Sequence, residues 1–184
     1  MRRELRSRRA AVPAAVRAAA ARRAMRSLGR LRVWKRAHCI ALYLACGAEL
    51  PTVPLIECAW SLGKRVYVPR VGRRGEMRFV ELRRGMRLHR NRYGIAEPVT
   101  ADRGLRAARI DLLVAPLLGF DARGYRLGMG GGYYDRFLAR RRHRRPVCLG
   151  WALAAQQVDV IPHDPWDRRL DGIVTEKGLI WPTG

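Results

Sequence analysis

The sequence is 184 residues long and 48% hydrophobic, and it sets 38 lysines and arginines against 15 acidic residues for a net charge of +23. Such a length and apolar content fit one domain that buries its own core, and exclude a disordered chain. No apolar run approaches the roughly 18 residues needed to cross a bilayer, so no membrane partner is expected. Cys39, Cys46, Cys58 and Cys148 form no CxxC pair. Neither a zinc site nor a disulfide framework follows, and a reducing cytoplasm is the expected compartment.

The charge attracts polyanions in general. Only Lys35, Lys64 and Lys177 are lysines, however, and the arginines run through the whole chain rather than along one stripe. The aromatic, GXXG and zinc-finger marks of common nucleic-acid modules are missing. A weak, salt-sensitive affinity for polyanions is expected, with no specific nucleic-acid partner.

In chain order, residues 1–28 form helix readily, with a break or fresh start at Pro13. "AHCIALYLA" (37–45) reads as a buried strand, in which Cys39 is a buried thiol. "PTVPLIECAWSLGK" follows as a helix, with Pro54 in its first turn and Gly63 at its end. "RVYVPRV" and "MRFVEL" are strands separated by a turn at "GRRGE". "LHRNRYGIAEPV" reads as a loop punctuated by Gly94 and Pro98. "RIDLLVAPLLGFD" is the longest apolar segment, a central strand running into a loop. A helix at "YYDRFLARRR" is followed by a strand at "RPVCLGWAL", which holds Cys148 as a second buried thiol. A polar loop at "VDVIPHDPWDRRLD" then leads to two short strands around Lys177-Gly178. The arginine run 139–145 reads as a solvated helix end. Strands alternating with helices imply an α/β fold, a single domain over 1–184 with a mainly parallel sheet.

The chemistry concentrates in "GFDARGYRLGMGGGYYDRFL". Gly128, Gly130, Gly131 and Gly132 let backbone N–H groups turn toward an anion, and the helix that follows adds its dipole. The loop is neither a P-loop, lacking GK[ST], nor a dinucleotide fingerprint, because Tyr133 occupies the place of the third glycine. A tight structural turn is the competing explanation. Arg126 adds a bidentate contact suited to phosphate, and Asp135 a hard oxygen suited to Mg²⁺. Tyr133 and Tyr134 offer faces to a flat ligand. Together these residues describe a nucleotide-phosphate site beside a planar substrate.

This stretch resembles the signature of the 5-formyltetrahydrofolate cyclo-ligase family. "GKRVYVPRV", "EMRFVEL", "NRYGIAEP" and "LGWALAAQQVDVIPHDPWDRRLDGIVTE" extend the resemblance over essentially the whole chain. It implies a three-layer sandwich of the NagB/RpiA/CoA-transferase type, with helices on both faces of the sheet. The implied reaction is the ATP- and Mg²⁺-dependent conversion of 5-formyltetrahydrofolate, with or without a polyglutamate tail, to 5,10-methenyltetrahydrofolate. It assigns ATP to Arg2, Arg6, Arg126, Leu127, Gly128, Met129, Gly130, Gly131, Gly132, Tyr133 and Tyr134. It assigns the folate to Leu44, Glu49, Met129, Gly130, Gly131, Gly132 and Tyr133. The metal falls to Asp135 and Asp167, with Asp164 and Asp171 as competitors for the second place.

Arg2 and Arg6 stand four apart, on one helical face. The Arg- and Ala-rich N-terminus has the composition of a transit peptide, but cleavage would remove those two arginines. Glu49 suits the amino-pyrimidine edge of a pterin, although an exposed loop glutamate is more often merely solvated. Pro51, in place of an acid, and "PLLGFD", in place of the family's "PGVAFD", are departures that bear on substrate fit. No catalytic acid or base is assigned, and a monomer is expected. The alternatives are a basic nucleic-acid-binding protein and a relative that binds ATP or folate without turnover.

Overall fold

A computed structural model of the chain describes residues 1–72, 76–91, 94–100, 109–139 and 146–182. The middle of the "GRRGE" turn, two residues of the loop after 90, and arginine run 140–145 lie outside the described residues. Two N-terminal helices, α1 (Arg2–Ala10) and α2 (Ala14–Arg30), are separated at Pro13, whose extended backbone opens α2. Proline lacks the N–H that a helix interior needs but fits at a helix start. Helix α3 (Arg32–Arg36) leads to strand β1 (Cys39–Ala41), and α4 (Val53–Ser61) carries proline in its first turn.

Strands β2 (Arg65–Val71) and β3 (Met77–Leu82) form a hairpin, and β6 (Leu112–Ala115), β9 (Val147–Trp151), β10 (Gly172–Thr175) and β11 (Gly178–Ile180) complete a seven-stranded sheet. Its order is β11-β10-β9-β6-β1-β2-β3. The five inner strands are parallel, and antiparallel β11 and β3 close the edges. The expected mainly parallel α/β sheet is present.

Strand residues alternate between two cores, as a period-2 backbone requires. Ile40, Val66, Val68, Leu112 and Val114 pack with Ala24, Leu28, Trp34 and Leu55 of α2–α4. Ala41, Tyr67, Leu113 and Ala115 face the other way, toward Phe120, Phe137 and Leu138. Among the described residues, the second core holds Phe137 and Leu138 of one short helix, α5 (Tyr133–Leu138).

Several elements differ from the sequence reading. The strand over 37–45 shrinks to three residues, because the later amides of Ala45 and Cys46 are taken by the side chains of Thr52 and Glu49. The loop after β3 contains a second small sheet, β4 (Leu88–Arg90) paired with β5 (Ala96–Pro98). All three β4 residues are exposed, so no hydrophobic alternation marks them as a strand. Cys148 is buried as expected, whereas Cys39 is only half-buried.

Candidate functional site

β1 ends and the chain bends into residues 44–52 at the carboxyl edge of the parallel strands, where open α/β sheets place their ligands. This loop is tied to itself. The Ala45 N–H donates to Thr52 Oγ1 (3.2 Å), the Tyr43 hydroxyl to the Leu50 carbonyl (3.3 Å), and the Trp151 indole N–H to the Pro51 carbonyl (3.1 Å). Gly47, at φ 57°, makes the turn that brings Glu49 back onto Cys46. Leu44 is half-buried against the core.

Glu49 is not the exposed loop residue the sequence suggests: its side chain is 11% exposed. Oε2 accepts the Cys46 N–H at 2.9 Å, and Oε1 stands 3.8 Å from Arg9 Nη1. Burial pushes its carboxyl above the usual range, while the Cys46 N–H and Arg9 pull back down. Burial and then the Glu49 charge hold the Tyr134 phenol well above its ordinary value. Tyr43 shifts the same way for the same first two reasons. Glu49 thus lies close enough to both tyrosines for its charge to bear on them.

The glycine loop grows from a hairpin of β7 (Gly119–Phe120) and β8 (Arg126–Leu127). In the turn of this hairpin Asp121 is fully buried and accepts the N–H groups of Arg123, Tyr125 and Ile161, together with the Arg123 guanidinium at 2.7 Å. Gly130 (φ 99°) and Gly132 (φ 61°) adopt left-handed backbone that other residues resist. A Cβ at Gly131 would come within 2.8 Å of the Tyr133 ring, whereas at Gly128 it would meet nothing. Gly130 and Gly132 therefore have a backbone reason to be glycine. α5 is only six residues long, so little dipole stands behind the loop.

The Arg126–Asp135 ion pair spans this side. Arg126, with a 5% exposed side chain, donates from Nη2 to Asp135 Oδ1 (2.6 Å) and from Nη1 to the Arg168 carbonyl (2.6 Å). Arg126 thereby ties Asp135 to the loop that contains Asp167. Asp167 Oδ2 accepts the Asp164 N–H (2.9 Å), so its carboxylate also shapes that loop. Asp171 Oδ2 accepts the Cys148 N–H (2.7 Å), a structural duty that weakens it as a competitor. Among the described residues no three of His, Cys, Asp and Glu converge. Two carboxylates still suit Mg²⁺, which keeps waters and takes phosphate oxygens alongside one or two acids.

α1 joins the two loops. At one end Arg2 Nε donates to the Gly128 carbonyl (3.3 Å), and at the other Arg9 faces Glu49. Leu5, between them, is buried against Gly119. Arg6 is exposed on the same helix. Met129 is exposed at the loop tip, Leu127 is half-buried, and Tyr133 stacks under the Arg136 guanidinium (5.0 Å). Arg9 and Asp121 escape a reading from sequence, because one sits in an arginine-rich run and the other looks like an ordinary turn residue.

A family model described as the 5-formyltetrahydrofolate cyclo-ligase family matches residues 1–176. The chain belongs to this family. It is 41% identical over 142 residues to the 5-formyltetrahydrofolate cyclo-ligase of Escherichia coli K12, spanning 76% of this chain and 78% of that one. With the Haemophilus influenzae cyclo-ligase it shares 34% over 143 residues, 76% of each chain. Its fold matches the NMR structure of Aquifex aeolicus 5,10-methenyltetrahydrofolate synthetase at a TM-score of 0.86, with 28% identity over 100% of this chain and 91% of that one. The Mycoplasma pneumoniae 5,10-methenyltetrahydrofolate synthetase aligns at 0.74, with 25% identity over 95% and 96%.

Proposed function

We propose that the protein converts 5-formyltetrahydrofolate to 5,10-methenyltetrahydrofolate, with ATP consumed to ADP and phosphate and Mg²⁺ required. The observation that carries this reading is the meeting of two unlike loops beside α1. A buried carboxylate pocket suits a flat amino-pyrimidine, and an exposed glycine backbone flanked by Arg126 suits phosphates. A formyl oxygen is a poor leaving group. Its attack on the γ-phosphorus forms an O–P bond, releases ADP and leaves an imidate phosphate. The folate's own N10 amine then bonds to the formyl carbon, the C–O bond breaks to expel phosphate, and the N10 proton leaves with it.

In this scheme Glu49 accepts from the amino-pyrimidine edge, with Leu44 and Met129 giving apolar contact. Arg2, Arg6, Arg126 and the amides of residues 127–134 neutralise and align the triphosphate. Asp135 and Asp167 would hold Mg²⁺, which supplies charge neutralisation at the phosphate oxygens. Positioning and electrostatics do most of the work in such transfers. No side chain need act as acid or base.

The test is absorbance in the methenyl-folate band after mixing protein, 5-formyltetrahydrofolate, Mg²⁺ and ATP, with ADP counted in parallel. A rise that needs ATP and matches ADP one for one supports the scheme. ADP without the band, or the band without ATP, refutes it.

A further inference from the structure

Arg9 is an arginine that helix α1 turns inward: it is 7% exposed, while Arg2, Arg3, Arg6 and Arg8 are exposed. Burying a guanidinium is costly unless its donors are met. Those of Arg9 are met poorly. Nη1 donates at 3.4 Å to the Leu117 carbonyl and lies 3.8 Å from Glu49 Oε1, while buried Nε has no partner. A side chain placed only to brace α1 would be cheaper as leucine. What Arg9 does have is the Glu49 carboxylate in front of it.

We propose that Arg9 is the positioning residue that keeps Glu49 charged and aimed at the folate ring. This rests on the folate reading of Glu49 given above. The geometry divides the labour between the two oxygens. The Cys46 N–H fixes Oε2 at 2.9 Å, and the guanidinium stands beyond hydrogen-bond length from Oε1. Oε1 is therefore neutralised without being occupied, and keeps its lone pairs for a ligand N–H. Arg9 stands seven residues after Arg2, on the same face of α1 and about 10 Å along its axis. One helix then serves both substrates, with Arg2 at the glycine loop and Arg9 at the carboxylate.

The groups facing Glu49 are Arg9 from α1, Tyr43 after β1, Cys46 in its own loop and Tyr134 from α5. Arg90 bears on Cys46 and Arg126 on Tyr134. Burial raises the Glu49 carboxyl, and the Cys46 N–H and then Arg9 oppose the rise. A group that must be ionised to work is lost as pH falls through its folded pKa. Removing Arg9 therefore moves that loss to higher pH.

The experiment measures kcat/KM for 5-formyltetrahydrofolate, and KM for ATP, between about pH 5 and pH 9 in the full chain and in Arg9→Met, Arg9→Lys and Glu49→Gln. Arg9→Met is expected to move the acidic limb to higher pH, so that rates on that limb fall while those on the plateau hold, with KM for ATP changed less than about twofold. Arg9→Lys keeps the charge and returns the limb toward its original place. A folded Arg9→Met whose limb stays put while rates fall evenly, or whose KM for ATP rises equally, overturns the proposal. If Arg9→Met does not fold, a limb in Arg9→Lys that shifts as far as in a neutral Arg9→Gln overturns it as well. Glu49→Gln separates the two readings. If it raises KM for the folate and abolishes the limb while Arg9→Met leaves the limb unmoved, only the role of Arg9 fails. If Glu49→Gln leaves the folate KM unchanged, the folate reading fails and takes this proposal with it.

Discussion

Residues 44–52 and residues 126–135 flank the same helix but are built in opposite ways. The first loop is held by hydrogen bonds around a largely buried carboxylate, with Thr52 from within it and Tyr43 and Trp151 from outside contributing. The second exposes Met129, Gly130 and Gly131; the hairpin it leaves is anchored at its turn by Asp121, and the Arg126–Asp135 pair spans it. A neutral flat ring is recognised by shape and a few aligned acceptors, which are best prebuilt. In the proposed scheme the triphosphate brings its own charge to the second loop, where it would replace one partner of the Arg126–Asp135 pair.

The sharpest way to break this contrast is at the turn of the β7–β8 hairpin that leads into the second loop. Asp121→Asn should cost about 3 kcal/mol, because a fully buried carboxylate loses its charge among donors arranged for it. A fall in Tm of about 10 °C is the expected readout. Burial raises the Asp121 carboxyl, but N–H groups led by Ile161, with Arg123, outweigh that and hold it below the usual range. A depressed folded pKa means stability present above the unfolded value and lost as pH falls through the folded one. The stability gap between Asp121 protein and its Asn variant should therefore close below about pH 4. A gap independent of pH would show that shape, not charge, anchors the loop.

Asp135→Asn should lower turnover on the order of 100-fold and raise the Mg²⁺ needed for half-maximal rate. It leaves Arg126 without its counter-charge, so nucleotide binding measured without metal should hold or tighten. Unchanged Mg²⁺ dependence would remove Asp135 as a ligand. Gly131→Val should lose about tenfold in activity by displacing Tyr133, with a melting temperature close to the parent's because the loop is exposed. Normal turnover would mean that substrates do not approach that backbone.

The smallest effect is expected at Arg2→Ala. One exposed contact of 3.3 Å to Gly128 is lost, for a rise of about threefold in KM for ATP and a stability change within about 0.5 kcal/mol. A rise in folate KM as large as that for ATP would show that α1 does not keep its two ends separate.

The parallel sheet, the Pro13 break between helices, the strands at 65–71 and 112–115 and the glycine loop were legible from one sequence, because each rests on local rules. Apolar runs mark buried strands, proline marks helix starts, and glycines mark backbone that turns the wrong way for other residues. The exposed hairpin of β4 and β5 left no such trace, since its first strand has no buried face to impose alternation. Glu49 could be named but not placed. Its burial depends on Gly47 folding the loop back and on Arg9, forty residues earlier, arriving from another element. Local pattern determined most of the helices, the buried strands and the glycine loop. Only the tertiary structure decided which arginine goes inside and which carboxylate it meets, because burial and electrostatic pairing are properties of neighbours in space rather than in sequence.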